Sequence, residues 1–397
     1  MGRFVKRFVV LFFIILTICA CEVSPVDQIQ TPTAPTLIPS TTTEIFSSPQ
    51  PDLKSSSQLL PETTTSTDIL LLEERFVSVY EDASSGVVAI RSLKAGSGFL
   101  GSGFVYDSKG HIVTNYHVID HHEEVEVSFQ SGYSARGKVI GKDKIADLAV
   151  ILVNSPSEEL FPLALGKSEL VKVGQIVVAI GNPYGLQGTM TVGIISGKGR
   201  ALRDPRDSSE TNVFTIGDIL QTDAAIHPGN SGGPLLNMEA EVIGVNTSIA
   251  STAYSGSSSG VGFAISSDLA QRVVDALIAD GEFIYPYIGL FSIREVTLVE
   301  REGLRLPQST GIYVTGVDPE GPADQAGIRA GSGKSPIPGV PAGGDLIIGV
   351  DGFPVLNFDD LMVYLIKNNR PGDTIILTII RDEKTIEIPL TLGERPG

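Results

Sequence analysis

Cysteine is almost absent from this chain of 397 residues. Its two cysteines, Cys19 and Cys21, both lie near the start, so the rest of the chain has no thiol. A secreted body without disulfide bonds must be stabilised by its hydrophobic core. The composition therefore excludes a cysteine nucleophile and a cysteine metal site from that body.

Positive charge is also scarce. The chain has 29 Lys and Arg against 46 Asp and Glu, which gives a formal net charge of −17. Such a surface repels a phosphate backbone, so we expect no nucleic-acid partner. Beyond the N-terminal region no apolar run approaches the ~18 residues that a membrane-spanning helix needs.

The N-terminus has the pattern of a secretory signal. Three basic residues within the first seven precede an apolar run that ends at Ile18-Cys19-Ala20-Cys21. A small residue before a cysteine at this point resembles the bacterial lipobox. We therefore expect residues 1–20 to be a lipoprotein signal peptide and Cys21 to carry a lipid anchor on the outer side of a bacterial membrane. The alternative is an ordinary signal peptide with Cys21 unmodified.

The remaining chain divides into a linker and two folded regions. Residues 21–70 are rich in Ser, Thr, Pro and Gln and predict a flexible linker. Residues 71–281 show short apolar runs separated by glycine, which is typical of an all-β sandwich or barrel, and a helix is predicted at 267–280. Residues 285–393 have the size and pattern of a small α+β domain. The predicted fold is mostly β.

A glycine-rich motif, Gly229-Asn230-Ser231-Gly232-Gly233-Pro234, is the strongest chemical signal. A serine hydroxyl becomes a nucleophile only with a base beside it and donors for the oxyanion that forms. The flanking glycines allow the backbone to turn tightly, so that the N–H groups of Gly229 and Ser231 can face one point. Residues 229–231 are the candidate oxyanion hole, although such a loop by itself is also compatible with a simple turn.

Of the five histidines, His117 is the best candidate base because it ends an apolar strand that can hold it rigidly. His111 lies in a predicted turn. His121 and His122 belong to an acidic surface run, and His227 sits in a proline-containing loop too close in sequence to the candidate nucleophile for proton transfer.

Asp147 is the candidate acid. It precedes the apolar strand 148–152, where a lone charge would be costly without a partner, so we expect it to orient His117. The alternative is an ordinary carboxylate at a strand edge. The order His117, Asp147, Ser231 is that of chymotrypsin-type enzymes, not of α/β-hydrolases or subtilisins. This chemistry needs no metal and no cofactor, and we expect none.

With these residues in place, the sequence resembles the HtrA/Deg family of trypsin-like serine proteases over nearly all of residues 71–393. The motifs that carry the resemblance are Gly101-Ser102-Gly103-Phe104, Thr114-Asn115-Tyr116-His117-Val118, Asp147-Leu148-Ala149-Val150, Ala179-Ile180-Gly181-Asn182-Pro183-Tyr184-Gly185, the Ser231 loop and Gly262-Phe263-Ala264-Ile265. The resemblance implies a chymotrypsin-like double β-barrel with the site between the barrels. It also implies ATP-independent cleavage of unfolded or damaged proteins, and a homotrimer with Phe76 and Tyr80 as aromatic contacts; a monomer is the alternative.

Residues 285–393 resemble a PDZ domain of the same family. Tyr287-Ile288-Gly289-Leu290 matches the loop whose backbone N–H groups capture the C-terminus of a peptide. Taken alone, Gly289 is also compatible with a simple turn. Two departures from the family pattern are His227-Pro228 before the nucleophile loop and an insertion at 332–343, which we expect to change access to the peptide groove.

In a trypsin-like barrel the pocket for the residue before the scissile bond is lined by the segment before the nucleophile and by the strand that follows it. Here these are Ala225-Ile226 and residues 245–249, with Val245 and Thr247 as candidate lining residues. Neither segment has a carboxylate, so we expect a broad preference for small and medium aliphatic side chains. A mixed-polar pocket, with Thr247 or Ser248 facing inward, is the alternative.

The sequence thus predicts a membrane-anchored serine endopeptidase with a protein quality-control role. Its expected partners are unfolded proteins and peptides, with peptide C-termini at the PDZ domain. The alternative is a chaperone-like or peptide-sensing protein on the same fold. A third hypothesis, a protein that acts only as a PDZ scaffold, would leave the β-rich region at residues 86–265 unexplained.

Overall fold

The structure, a computed structural model, describes residues 66–94, 98–182, 188–203, 215–247, 260–293 and 295–395. The predicted signal peptide, Cys21 and most of the predicted linker lie outside these residues. All described residues belong to one compact unit that begins at Thr63. In this part of the chain no helix combines the length and the hydropathy that crossing a membrane requires.

The first half of the described chain forms a closed antiparallel barrel after the helix α1 (Ser66–Ser84). Alternating apolar residues fill the barrel, among them Val88, Ile90, Ile112 and Ile151, because successive side chains of a strand face opposite sides. The strands are paired in the order β1-β2-β3-β6-β5-β4, and the short helix α2 (Tyr116–Ile119) follows β3. The strands are β1 (Val87–Ser92), β2 (Phe99–Val105), β3 (His111–Thr114), β4 (Glu124–Ser128), β5 (Ser134–Asp143) and β6 (Leu148–Val153).

A second closed antiparallel barrel follows, after two single 3-10 turns at Ser157–Glu159 and Ser168–Leu170. Its strand order is β10-β11-β12-β9-β8-β7. The helix α3 (Ser267–Ala279) comes after the barrel, and the side chain of Ser266 caps its first turn by accepting the N–H of Leu269. The strands are β7 (Ile176–Gly181), β8 (Thr189–Arg203), β9 (Thr215–Thr222), β10 (Pro234–Leu236), β11 (Val242–Thr247) and β12 (Gly262–Ser266).

The two barrels share a hydrophobic core that includes Val113 and Leu148 of the first barrel and Ile180 and Val245 of the second. One face of α3 packs into the same core. Phe76 and Tyr80 of α1, which were predicted as contacts between subunits, pack against this core of their own chain and are partly buried.

Residues 285–395 form a small α+β domain. Its sheet has the order β14-β15-β16-β18-β19, with β17 paired to β16 and β13 paired to β20. The predicted insertion at 332–343 folds onto this domain, with Ile337 and Val340 against Leu304 and Tyr313. The elements are β13 (Pro286–Tyr287), β14 (Leu290–Ser292), α4 (Leu298–Leu304), β15 (Ile312–Val317), α5 (Pro322–Gln325), β16 (Leu346–Val350), β17 (Phe353–Pro354), α6 (Phe358–Asn368), β18 (Thr374–Arg381), β19 (Lys384–Thr391) and β20 (Gly393–Glu394).

The helix α6 joins this domain to the second barrel. Leu361 and Leu365 lie in the core of the small domain, whereas Ile366 belongs to the core between the barrels. Arg272 of α3 donates to the carbonyls of Ile366 and Asn369 at the end of α6. Lys367 pairs with the nearly buried Asp218 of β9 at 2.9 Å. The small domain is therefore attached to the second barrel through α6, which contributes side chains to two hydrophobic cores.

The predicted fold class, a mostly β double barrel followed by an α+β domain, is confirmed. Ile288 and Gly289 make the turn between β13 and β14, with Gly289 at φ 72°. The strand β5 was not predicted because its buried positions are Gly137, Gly141 and Asp143 and its lysine and arginine side chains are exposed, so it has no clear apolar pattern.

Candidate active site

Ser231 lies in the loop between β9 and β10 and is 2% exposed. Two glycines shape this loop: Gly229 at φ 108° and Gly232 at φ 85°, where a residue with a Cβ would be strained. A Cβ on Gly232 would also lie 2.1 Å from the carbonyl oxygen of Ser102. The glycines of the motif are thus required both by conformation and by space.

His117 and Asp147 form a direct pair. Nδ1 of His117 lies 3.0 Å from Oδ1 and 2.9 Å from Oδ2 of Asp147, and the His117 backbone N–H donates to Oδ1 at 3.0 Å. The carboxylate is fully buried, whereas the His117 side chain keeps 19% of its surface exposed. The imidazole is therefore fixed on its Nδ1 side and reachable from outside.

Two residues that the sequence did not predict in this role hold Asp147 in place. Thr247 was predicted to line the specificity pocket, but its hydroxyl donates to Oδ2 of Asp147 at 3.0 Å. Asn115 donates its side-chain amide to the Asp147 carbonyl at 2.9 Å. Asp147 itself has φ 55°, a left-handed conformation that aspartate tolerates better than most residues. Contacts from both barrels thus fix this carboxylate.

The structure brings the Ser231 loop to the same junction between the barrels. The N–H of Ser102 in β2 donates to the Ser231 carbonyl at 2.9 Å. A Cβ added to the neighbouring Gly101 would lie 3.1 Å from that carbonyl oxygen and 2.7 Å from Val118, the residue after His117. The three residues predicted as a triad therefore lie around one stretch of β2.

The predicted oxyanion residues differ in what they offer. The Asn230 N–H donates to the His227 carbonyl at 2.9 Å, so Asn230 does not supply a free amide and that prediction is corrected. Its buried side chain donates instead to the Ala225 carbonyl at 3.3 Å. The Gly229 N–H donates to no acceptor in the described part of the chain. Asn230 therefore stiffens the loop, and the Gly229 N–H is left available as a donor.

The predicted pocket residues are less open than expected. Val245 is fully buried in the core between the barrels and offers no surface to a substrate, which corrects its predicted role. Ile226 is 5% exposed and packs inside the second barrel with Ala224. Ala225 is partly exposed. Residues 248 and 249, also predicted to line the pocket, lie outside the described residues.

A buried carboxyl group lies four residues before Asp147 and was not predicted from the sequence. Oδ1 of Asp143 accepts the N–H of Ala146 at 2.6 Å and the hydroxyl of Tyr285 at 2.8 Å. Burial is the main cause that raises the pKa of Asp143 above its ordinary value, against the lowering effect of these hydrogen bonds. The turn that presents Asp147 is therefore tied to the segment that enters the small domain.

The residues predicted to capture a peptide C-terminus form the turn between β13 and β14. The carbonyls of this turn are engaged: Ile288 accepts the N–H of Ala323 at 2.9 Å and Gly289 that of Asp318 at 3.0 Å. Among the described residues, the N–H groups of Ile288 and Gly289 donate to no backbone carbonyl outside the strands. Tyr287 and Leu290 flank this turn as strand ends. The strand β14 lies at the edge of its sheet.

Comparisons with known families agree with this geometry. Residues 101–245 match the family described as a trypsin-like peptidase domain, and residues 288–392 match the PDZ domain family. The first match lies within the double barrel and the second within the small domain.

Individual relatives give the same result. The chain is 38% identical over 296 residues to a "Probable periplasmic serine endoprotease DegP-like" of Chlamydia trachomatis, covering 75% of this chain and 54% of that protein. It is 39% identical over 300 residues to "Protease Do-like 1, chloroplastic" of Arabidopsis thaliana, covering 75% and 64%. The chain thus spans between half and two thirds of the length of these relatives.

Solved structures are similar over almost their whole length. The HtrA-type protease AlgW with a tripeptide has a TM-score of 0.64 and 30% identity, covering 81% of this chain and 98% of the solved one. The serine endoprotease from Yersinia pestis has a TM-score of 0.57 and 32% identity, with the same coverage of 81% and 98%.

Proposed function

Because this chain belongs to the HtrA/Deg family of trypsin-like serine proteases, we propose that it is a serine endopeptidase that cuts unfolded or damaged proteins outside the cytoplasm without using ATP. The observation that carries the proposal is the buried pair of His117 and Asp147 beside the glycine-rich loop of Ser231. The names of the relatives, which are proteases in each case quoted above, support the same activity.

In the proposed reaction His117 takes the proton from the Ser231 hydroxyl while the oxygen attacks the peptide carbonyl. A C–O bond forms, and the tetrahedral intermediate collapses by breaking the scissile C–N bond when His117 gives that proton to the leaving amine. Water then cleaves the acyl-enzyme by the same steps. Asp147 holds Nδ1 of His117, so that Nε2 acts as the base, and it stabilises the imidazolium. Thr247 holds Asp147 in turn.

The oxyanion of this intermediate would be bound by the N–H groups of Gly229 and Ser231. The lack of an acceptor for the Gly229 N–H among the described residues supports this assignment. A donor aimed at the developing charge contributes about 10²- to 10³-fold to the rate in other enzymes of this type.

Substrate preference would follow from the segment around Ala225. Ala225 is partly exposed, and its carbonyl accepts the hydroxyl of Thr191 at 3.1 Å. Since residues 224–226 carry no charge, a pocket formed beside them favours small aliphatic side chains over lysine or arginine. Discrimination among aliphatic residues would be weak, since one methylene contributes roughly 1–3 kcal/mol.

The PDZ domain would bind the C-terminus of a peptide at residues 287–290, and the peptide would pair with β14. The unpaired edge of β14 and the amides of Ile288 and Gly289 support this. Two HtrA-type structures with bound peptides are among the similar solved structures.

Location outside the cytoplasm is supported by the periplasmic relatives. We propose that a lipid on Cys21 tethers the protein to a membrane through the linker 21–70. A homotrimer remains a proposal. It would need exposed residues of α1 such as Ile69 and Leu70, in addition to the partly buried Phe76 and Tyr80.

Casein digestion followed by mass spectrometry of the fragments tests the activity. The wild type should cleave after aliphatic residues, and Ser231→Ala should be inactive while keeping the melting temperature. A wild type that binds casein and produces no fragments would favour the chaperone-like alternative. Fragments ending mainly in lysine or arginine would contradict the pocket assignment.

Release of a Cys21→Ser variant into the soluble fraction tests the anchor.

A further inference from the structure

Ser102 in β2 is fully buried, and every one of its polar groups has a partner. Its hydroxyl donates to the Gly229 carbonyl at 2.5 Å and accepts the Asn182 N–H at 2.8 Å. Its backbone N–H donates to the Ser231 carbonyl at 2.9 Å, and its own carbonyl accepts the hydroxyl of Thr114 at 2.7 Å. A single residue of the first barrel therefore holds two carbonyls of the nucleophile loop, which belongs to the second barrel.

These contacts fix two peptide groups, one before and one after Asn230-Ser231. The peptide between Gly229 and Asn230 has its carbonyl on Ser102 and its N–H on the His227 carbonyl. The peptide between Ser231 and Gly232 has its carbonyl on the Ser102 N–H and its own N–H on the Asn246 carbonyl at 2.9 Å. A peptide plane bound at both ends cannot rotate without breaking buried hydrogen bonds, which is costly.

The first of these peptides matters for the chemistry. Gly229 is a glycine at φ 108°, so its backbone has little intrinsic preference and its neighbours must set its orientation. The Ser102 hydroxyl turns the Gly229 carbonyl into the protein interior. This keeps the negative end of that peptide dipole away from the point where the oxyanion would form.

We propose that Ser102 is a positioning residue for the oxyanion hole. By fixing the carbonyl side of Gly229, its hydroxyl restricts rotation of this glycine, whose own N–H, on the preceding Pro228–Gly229 peptide, then faces the substrate carbonyl. This inference rests on the proposed protease function. It assigns to a residue of the first barrel a role in a site whose donors belong to the second.

The space around the hydroxyl fits this role. A Cβ on Gly181 would lie 3.1 Å from the Ser102 Oγ, and a Cβ on Gly233 would lie 3.3 Å from the Ser102 Cβ. The pocket therefore accepts a hydroxymethyl group with little room to spare. Through Asn182 the same hydroxyl also binds the end of β7, so it joins three segments that are distant in sequence.

Ser102→Ala tests the inference, and Ser267→Ala is the matched control. Ser267 is also buried, at 1% exposure, and its hydroxyl also donates to a carbonyl (Gly166, 2.7 Å) and accepts an N–H (Ser168, 3.2 Å). It has no contact with the nucleophile loop in these hydrogen bonds. The two variants lose equivalent buried hydrogen bonds, so they should lower the melting temperature to a similar extent.

The full chain should be assayed with a peptide amide substrate. We expect Ser102→Ala to lower kcat about 10- to 100-fold, less than loss of an oxyanion donor itself, with KM changed less than about threefold. Affinity for a peptidyl boronic acid, whose adduct with the serine mimics the tetrahedral intermediate, should fall by a similar factor. Ser267→Ala should keep kcat within about twofold. Ser102→Cys, which replaces the hydroxyl by a somewhat larger and weaker donor, should recover only part of kcat.

Three results would overturn the inference: wild-type kcat in Ser102→Ala, an equal loss of kcat in Ser267→Ala, or a rise in KM without a loss of kcat. If Ser102→Ala does not fold, Ser102→Cys is compared with the wild type and with Ser267→Ala, and its kcat must be lower than both. An inactive wild type would contradict the proposed function itself, so the two failures are distinguishable.

Discussion

The boundary between the two barrels and the boundary between the second barrel and the PDZ domain are built differently. At the first, fully buried hydrogen bonds such as Thr247 to Asp147 and Ser102 to Gly229 reach across the junction. At the second, one helix presents Ile366 to an apolar core, and Arg272 and Lys367 add polar contacts at the edge. Hydrogen bonds are directional and fix atoms, whereas apolar burial is not directional and fixes proximity. The first boundary is therefore suited to catalysis and the second to docking.

One turn, residues 143–147, takes part in both boundaries. Asp147 faces His117 and Thr247 at the first. Asp143 accepts the hydroxyl of Tyr285, which lies one residue before the first strand of the PDZ domain. A displacement of the PDZ segment would therefore disturb the turn that carries Asp147, through the hydrogen bond between Tyr285 and Asp143.

The largest effect is expected from breaking the first boundary with Asp147→Asn. The amide cannot hold the His117 tautomer in which Nε2 is a base, so kcat should fall about 10⁴-fold. Burst titration and peptide hydrolysis measure this loss. The melting temperature should stay within a few degrees of the wild type because the shape is kept. A variant with more than a tenth of wild-type kcat would contradict the assignment of Asp147.

The next largest effect is expected from Ile366→Ala at the second boundary. Removing a side chain that is 2% exposed should cost about 2–5 kcal/mol, measured by urea denaturation. Because the first boundary is intact, kcat per folded molecule should stay within about twofold. The control is Leu361→Ala, which removes a fully buried side chain from the PDZ core itself. In limited proteolysis, only Ile366→Ala should make the boundary between the second barrel and the PDZ domain more sensitive to cleavage while the PDZ core stays protected.

A smaller effect is expected at the shared turn from Tyr285→Phe. Loss of its hydroxyl removes the side-chain donor to buried Asp143, which should cost about 1–3 kcal/mol at neutral pH. Tyr106→Phe is the matched control, since that hydroxyl also donates to a carboxylate, Asp275, at 2.7 Å but does not touch the turn. Equal kcat values for the two variants would show that losing the contact between Tyr285 and Asp143 does not affect the turn that carries Asp147.

The pH dependence of Asp143→Asn sharpens the same point. Burial raises the pKa of Asp143, so the folded state favours the protonated carboxyl. This contribution to stability is complete below the ordinary pKa of 3.8 and is lost as pH rises through the folded pKa. Asparagine keeps the acceptor Oδ1 and does not titrate. Relative to wild type, the variant should therefore gain stability as the pH rises above about 4 in urea titrations; a constant difference would contradict the raised pKa.

The smallest effect is expected for His121→Gln, which belongs to neither boundary. Its side chain is 90% exposed, and its ion pair with Asp120 is at the surface. Such pairs contribute little, so stability should change by less than about 0.5 kcal/mol and kcat should not change. Peptide hydrolysis and thermal melts check both. A change in the pH profile of kcat would mean that His117 is not the only histidine that affects the reaction.

The sequence by itself predicted His117, Asp147 and Ser231 as the catalytic candidates, because the proposed reaction demands particular residue types and each stands in a short motif. Its local apolar patterns predicted an all-β sandwich or barrel and the helix α3, and the resemblance to the HtrA/Deg family implied the double barrel. Strands such as β5 were not predictable, since their stability comes from partners on both sides and not from their own residues.

Only the tertiary structure decided the supporting contacts. Thr247 meets Asp147 across 100 residues, Ser102 meets Gly229 across 127, and Tyr285 meets Asp143 across 142. Two of these hydrogen bonds join side chains whose pairing depends on the packing of the barrels and the PDZ segment. The bond from Ser102 ends on a backbone carbonyl, which every residue possesses. A carbonyl leaves no pattern in the sequence, so its partner is decided only when the fold brings the two chain segments together.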